Sequence, residues 1–229
     1  VSLRADGERE FLFYRHPSAD MLFRPEEVDA ATIEAARIFH FDSISLAAEQ
    51  PRETAFHAAG LAQAGGKLIS YDVNLRLPLW QDALIARKVI REGAMRASVV
   101  KLSDDELEFL TGSREPGAVR TSLWHDGMRL AVLTMGGRGC ILLTERGERH
   151  VPSIEVTPVD TTGAGDGFVA GLLAGLLRQA TLPDDDALAG ICRFANAVGA
   201  ITTTERGAIP SLPTRAAVEA RLAAAESGR

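Results

Sequence analysis

The chain is short of cysteine, lysine and long apolar stretches. Cys140 and Cys192 are the only cysteines in 229 residues. They stand far apart with no metal-ligand spacing around them, so neither a disulfide framework nor a zinc site is expected. A reducing cytoplasm is the expected setting. The histidines (16, 40, 57, 125 and 150) form no H-x-x-x-H pair, which removes support for a His-based metal site. Lysine is limited to Lys67, Lys88 and Lys101, the 22 Arg form no basic block, and the net charge is −6. Nucleic-acid binders neutralise phosphates with clustered Lys and Arg, so that class is excluded. The longest uncharged apolar run, 168–177, has ten residues, too short to cross a bilayer. The opening residues do not read as a signal peptide. Neither a Walker loop nor a G-x-G-x-x-G fingerprint occurs, which leaves a dinucleotide-dependent dehydrogenase with little support.

What is present is globular. Hydrophobic residues make up 46% and charged residues 24%, enough to bury a core. Strand and helix signals alternate. Strands are expected at 37–44, 67–73, 97–102, 130–135, 140–144 and 149–152. Helices are expected at 51–64, 81–96, 164–179, 184–204 and 214–225, the second with Leu84, Ile85, Val89 and Ile90 as its apolar residues. Ser103 with Glu106 three positions on is a capping box that opens a further helix. Residues 9–15 alternate like one arm of a β-hairpin after a turn at 5–8, with the partner arm placed before Val1. Strands spaced by helices imply βαβ crossovers. The fold class is therefore α/β, doubly wound, with a mainly parallel sheet and ligands at the C-terminal strand ends.

Chemistry concentrates in 159–168, Val-Asp-Thr-Thr-Gly-Ala-Gly-Asp-Gly-Phe. Glycines lead straight into an apolar helix, so backbone at Gly163 and Gly165 can come close to a ligand. The amides of 163–166 would be the unpaired donors of a helix N-terminus, which binds anions and phosphate above all. Asp166 falls in the first turn, where the helix dipole favours its ionised form. An ionised carboxylate beside an anion hole can take a proton from a hydroxyl. Asp is also common near helix starts for ordinary reasons, so an ordinary helix-start role stays open.

This stretch resembles the C-terminal signature of the ribokinase (PfkB) family of carbohydrate kinases. The segments 39–45, 71–80, 101–106, 194–200 and 207–213 are each similar to bacterial fructokinases. The resemblance implies that Asp166 is the base for the sugar's terminal hydroxyl. It implies that Gly163, Ala164 and Gly165 give amides to the γ-phosphoryl group. Thr134, Gly136, Gly137 and Gly139 match the family's nucleotide loop; a plain β-turn is the other reading. Asn196 falls where the family places a residue beside the adenine, and Lys101 joins the nucleotide ligands. Glu106 matches the residue that organises Mg²⁺ through water, although Ser103 replaces the family's Asn; its capping role fits equally. Asp160, Thr162, Thr202, Glu205, Gly207 and Ser211 match a K⁺ site. Tyr14 and Arg15 lie on a strand similar to the family's lid, or on a solvated hairpin face. Asn74 and Arg76 complete the sugar contacts.

The resemblance thus implies an ATP- and Mg²⁺-dependent sugar kinase, most similar to fructokinases. A 2-keto-3-deoxygluconate kinase and a non-catalytic ATP-binding or regulatory fragment are the alternatives. No nucleic-acid or membrane partner is expected, and a homodimer through the lid is. In domain terms, 1–20 would be a partial lid strand and 21–229 the α/β core. Roughly 80 to 90 residues are expected upstream, given the ~300-residue upper size of a single core and the family's layout.

Overall fold

The computed structural model describes residues 2–3, 9–10, 14–15 and 18–227. At the start, β1 (Ser2–Leu3) and β2 (Arg9–Glu10) pair antiparallel, with Ser2 opposite Glu10. The hairpin arm therefore has its partner inside the chain, which corrects the expectation that it precedes Val1. The expected turn at 5–8 lies outside the described residues, as do residues 11–13 of the arm.

Two short helices ahead of the alternating core were not anticipated, α1 (Ala19–Leu22) and α2 (Ala30–Ala35), and neither was a third further on at Gly117–Ser122. Each is too short for a clear apolar period, and α2 is announced only by its cap, Asp29, which accepts from the Ala31 amide at 3.0 Å. The alternating core follows: β3 (Ile38–Asp42), α3 (Glu49–Ala64), β4 (Leu68–Asp72), α4 (Ala83–Ala94), β5 (Val99–Ser103), α5 (Asp104–Thr111), α6 (Gly117–Ser122) and β6 (Leu130–Thr134). Then come β7 (Cys140–Thr144), β8 (Gly147–Val151), α7 (Ala164–Leu176), α8 (Asp185–Thr202) and α9 (Arg215–Ser227). Helix α4 starts where Asp82 accepts from the Leu84 and Ile85 amides. Its buried face is Ala86, Val89, Ile90 and Gly93, whereas Leu84 is 73% exposed. The apolar stripe is thus shifted from the one expected, because residues of the first turn lie beyond the core's edge.

The six strands of the main sheet run in the order β3-β4-β5-β6-β7-β8. The first four are parallel and the last two antiparallel. Helices cover both faces. One core holds Tyr71, Val100, Leu102 and Leu133 with the residues of α3 to α6. The other holds Val99, Leu130, Val132 and Cys140 against Phe168, Leu172, Ile191 and Cys192 of α7 and α8. Burying each such large side chain contributes about 1.5–3 kcal/mol. Strands buried on both faces explain the short continuous apolar runs in the sequence. The register sets Asp42, Asp72 and Lys101 side by side across β3, β4 and β5 near their C-terminal ends.

Candidate active site

Helix α7 begins at the glycine-rich turn. Gly163 is its N-cap at φ 80°, a left-handed conformation that glycine adopts without cost. A Cβ there would lie 2.8 Å from the Ala208 Cβ. The turn is thus tightly packed against the 204–211 segment, and the amides that follow point out of the helix end. Asp166, in the first turn, is exposed.

A cleft of about 680 Å³ opens beside this turn. Its wall includes Thr134, Gly136, Gly137 and Gly139 from the β6–β7 connection, Ala164 and Gly165 from α7, and Asn196 from α8. Segments some sixty positions apart in the chain thereby form one compartment of ligand size. Gly136–Arg138 is a 3-10 turn. The Thr134 hydroxyl donates to the Leu102 carbonyl at 3.3 Å, tying this loop to β5. Asn196 is buried, and its Nδ2 donates to the carbonyls of Val151 and Pro152 at 2.9 and 3.3 Å. The amide group therefore braces the cleft wall as well as lining it.

On the sheet side of the α7 start lies a buried ion pair. Lys101 Nζ is 3.0 Å from Asp72 Oδ1. Burial raises the Asp72 carboxyl to about 6, against the pull of Lys101, and Glu106 adds to the rise. Burial lowers the Lys101 ammonium, but Asp72, Glu106 and Asp166 outweigh it, and the net direction is upward. Glu106 is buried and accepts from the Ser103 amide at 2.7 Å and the Leu75 amide at 2.8 Å. With the Ser103 hydroxyl accepting from the Glu106 amide, the capping box is complete. Both carboxylate oxygens are engaged once, and each keeps a second lone pair for a water. This donor set suits Mg²⁺, which keeps most of its waters and takes few protein ligands.

The expected sugar ligands are only partly assembled. Asn74, at φ 37°, holds an unusual backbone conformation for a residue with a side chain. Its Nδ2 donates to Asp42 Oδ2 at 3.0 Å. Arg76 donates to the Leu75 carbonyl. Arg15 is paired with Asp20 and reaches the Ile44 carbonyl at 3.5 Å, while Tyr14 is 89% exposed. Sequence reasoning missed Asp42, Asp72 and His40 as site groups. His40 Nδ1 is 3.1 Å from Ser70 Oγ, on the same sheet face as the ion pair. The available signal was the place of Asp42 and Asp72 at the ends of parallel strands, with His40 two residues before one of them.

Hydrogen bonds link four of the residues expected at a K⁺ site, Asp160, Thr162, Gly207 and Ser211. Asp160 accepts from the Thr162 amide and hydroxyl at 2.9 and 2.7 Å and from the Gly207 amide at 3.0 Å. Ser211 Oγ donates to the Gly207 and Ala208 carbonyls. Thr202 Oγ1 donates to the Val198 carbonyl. Glu205 is exposed. Oxygen donors of this kind suit a hard monovalent cation. Among the described residues, no cluster of three or more His, Cys, Asp or Glu stands ready for a tightly ligated metal. Both cysteines are free and buried in one core cluster.

Comparison with known proteins bears on the family and the fold. The family model for pfkB family carbohydrate kinases matches residues 1–215. The chain belongs to the pfkB family of carbohydrate kinases. Fructokinase-2 of Solanum lycopersicum is 49% identical over 216 residues, 93% of this chain and 66% of that protein. The fructokinase of Xylella fastidiosa with bound ATP superposes with a TM-score of 0.89 at 32% identity, over 99% of this chain and 73% of that one. The fructokinase of Vibrio cholerae with fructose, ADP and calcium gives 0.77 at 32% identity, over 85% and 64%. This pfkB chain thus spans about two thirds of the length of the curated relatives it matches. Among the described residues no helix is long and apolar enough to cross a membrane.

Proposed function

We propose that this chain belongs to an ATP-dependent sugar kinase that transfers the γ-phosphoryl group to the terminal hydroxyl of a ketose, fructose giving fructose 6-phosphate. The observation that carries the reading is the single cleft shared by the Thr134–Gly139 turn, the start of α7 and Asn196. ATP would lie along that cleft with its phosphates toward the amides of Gly163, Ala164 and Gly165. Asp166, exposed at the same helix start, takes the proton of the attacking hydroxyl. The amides then meet the charge that builds on the transferred group. Thr134, Gly136, Gly137, Gly139 and Asn196 bind the nucleotide, and Asn74, Arg76, Tyr14 and Arg15 are the sugar-side candidates. Mg²⁺, held through water by Glu106, would shield the phosphate oxygens. K⁺ at Asp160, Thr162, Thr202, Glu205, Gly207 and Ser211 would add a fixed positive charge behind the turn. The β1–β2 hairpin belongs to a lid, and a homodimer through it is part of the same reading; a monomeric mass in light scattering counts against it. A cytoplasmic setting is supported by the two unbridged cysteines.

Coupled ADP-release assays with fructose, ribose and 2-keto-3-deoxygluconate test the reaction. Fructose should turn over fastest; a preference for the keto acid would move the assignment to that kinase. Asp166→Ala should lower kcat about 10²–10⁴-fold and leave ATP affinity within about threefold, because Asp166 acts on the hydroxyl and not on the nucleotide. Near-normal turnover of this variant would remove the assigned base.

A further inference from the structure

Proton transfer gives no task to the Asp72–Lys101 ion pair. Its side chains are 5% and 9% exposed. Burying two charges is not in itself stabilising, because desolvation offsets much of their attraction, and apolar residues of similar volume would serve a core as well. Lys101 is the one buried lysine of the three. Its position accounts for the expense. A Cβ on Gly165 would lie 3.3 Å from Lys101 Nζ, so the ammonium sits against the backbone of the anion-hole turn. Asp166 is near enough for its charge to act on the same ammonium.

Asp72 is itself held. The Asn74 amide donates to its Oδ1 at 3.3 Å, and the Asn74 side chain is anchored on Asp42. A chain of polar contacts therefore runs from β3 to the underside of the turn. A charge fixed in a poorly solvated place needs no reorganisation when negative charge develops nearby, and acts more strongly than in water.

We propose that Lys101 is the fixed cation of the anion hole and Asp72 its positioning residue: Asp72 holds the ammonium beneath Gly165, where it stabilises the charge building on the transferred phosphoryl group. This rests on the kinase reading above. An ammonium in that place strengthens the amide dipoles of the turn without entering the nucleotide cleft. Asp72 touches neither substrate and acts only through Lys101.

The test is calorimetric binding of ADP, with and without aluminium fluoride, in the presence of Mg²⁺ and fructose. The fluoroaluminate stands in for the phosphoryl group in flight. Circular dichroism and thermal midpoints well above the assay temperature report that wild type, Asp72→Asn, Lys101→Met and the double variant fold, and the affinity of each for ADP alone is the reference for its own gain. The double variant replaces an ion pair by a neutral pair, a change that buried sites tolerate. The extra affinity gained with fluoroaluminate should fall about 100-fold in each single variant, the lower end of the range for losing one preorganised donor. It should fall no further in the double variant, since Asp72 has no effect without Lys101. Full gain in Asp72→Asn overturns the proposal, as do losses that multiply in the double variant or a wild type with no fluoroaluminate gain. Sugar turnover, measured alongside, judges the kinase reading separately.

Discussion

A Cβ on Gly139 would stand 2.2 Å from the Val151 carbonyl oxygen and 2.7 Å from the Ser153 amide nitrogen. The backbone there has φ 92°, a region that side chains rarely enter. Both neighbours are main-chain atoms, so neither can swing aside. Gly139→Ala should therefore cost about 3 kcal/mol from clash and strain together, read as a lower urea midpoint at unchanged slope. Asp72 makes the second residue-scale prediction. Its carboxyl titrates near 6 when folded and near 3.8 when unfolded. Between those values the folded state holds more protons than the unfolded one, so stability falls as pH rises through that window. Urea melts from pH 4 to 7 should show a decline that Asp72→Asn lacks. An identical pH slope in both proteins would mean that Asp72 ionises freely.

At the scale of elements, Ser103 links a helix cap to the site. Its hydroxyl accepts from the Glu106 amide at 3.2 Å, and Glu106 bonds back to the Ser103 amide. Ser103→Ala should cost about 1 kcal/mol, the usual worth of an N-cap, measured as a shift in thermal midpoint. The Glu106 carboxylate keeps its bonds to backbone amides, so Mg²⁺ dependence should change less than in Glu106→Gln. This cap was legible in the sequence because a capping box is local, three residues apart. So was the α7 turn, whose glycines and Asp166 are contiguous. The Asp72–Lys101 pair was not, since strand register, not sequence spacing, sets those residues side by side. Nor was the partner of β2: a two-residue strand such as Ser2–Leu3 carries no period to recognise. The shifted stripe of α4 has the same origin, since burial of Leu84 depends on where the neighbouring layer ends.

At the scale of the whole molecule, the cleft is walled by parts from distant stretches of the chain: the β6–β7 turn, the 153–158 segment, the start of α7 and the middle of α8. The two helices approach closely because a Cβ on Gly171 would lie only 2.8 Å from the Ala195 backbone. A nucleotide that touches all these parts binds the folded state and not the unfolded chain, so it must stabilise the protein by mass action. At a hundred times its Kd the gain is about 2.7 kcal/mol. For a chain of this size each kcal/mol moves the midpoint by about 2–4 °C, so ATP at that excess should raise it by about 5–11 °C. AMP lacks the β- and γ-phosphates that the proposed pose sets at Gly163 and Gly165, and at the same concentration should raise it less. In the proposed reaction the Asp166 carboxylate serves the hydroxyl acceptor, so Asp166→Ala should keep the ATP response. Gly171→Leu should lose much of it, because the added side chain forces α8 and Asn196 away from the α7 turn. A wild-type midpoint indifferent to ATP would show that this cleft does not hold a nucleotide.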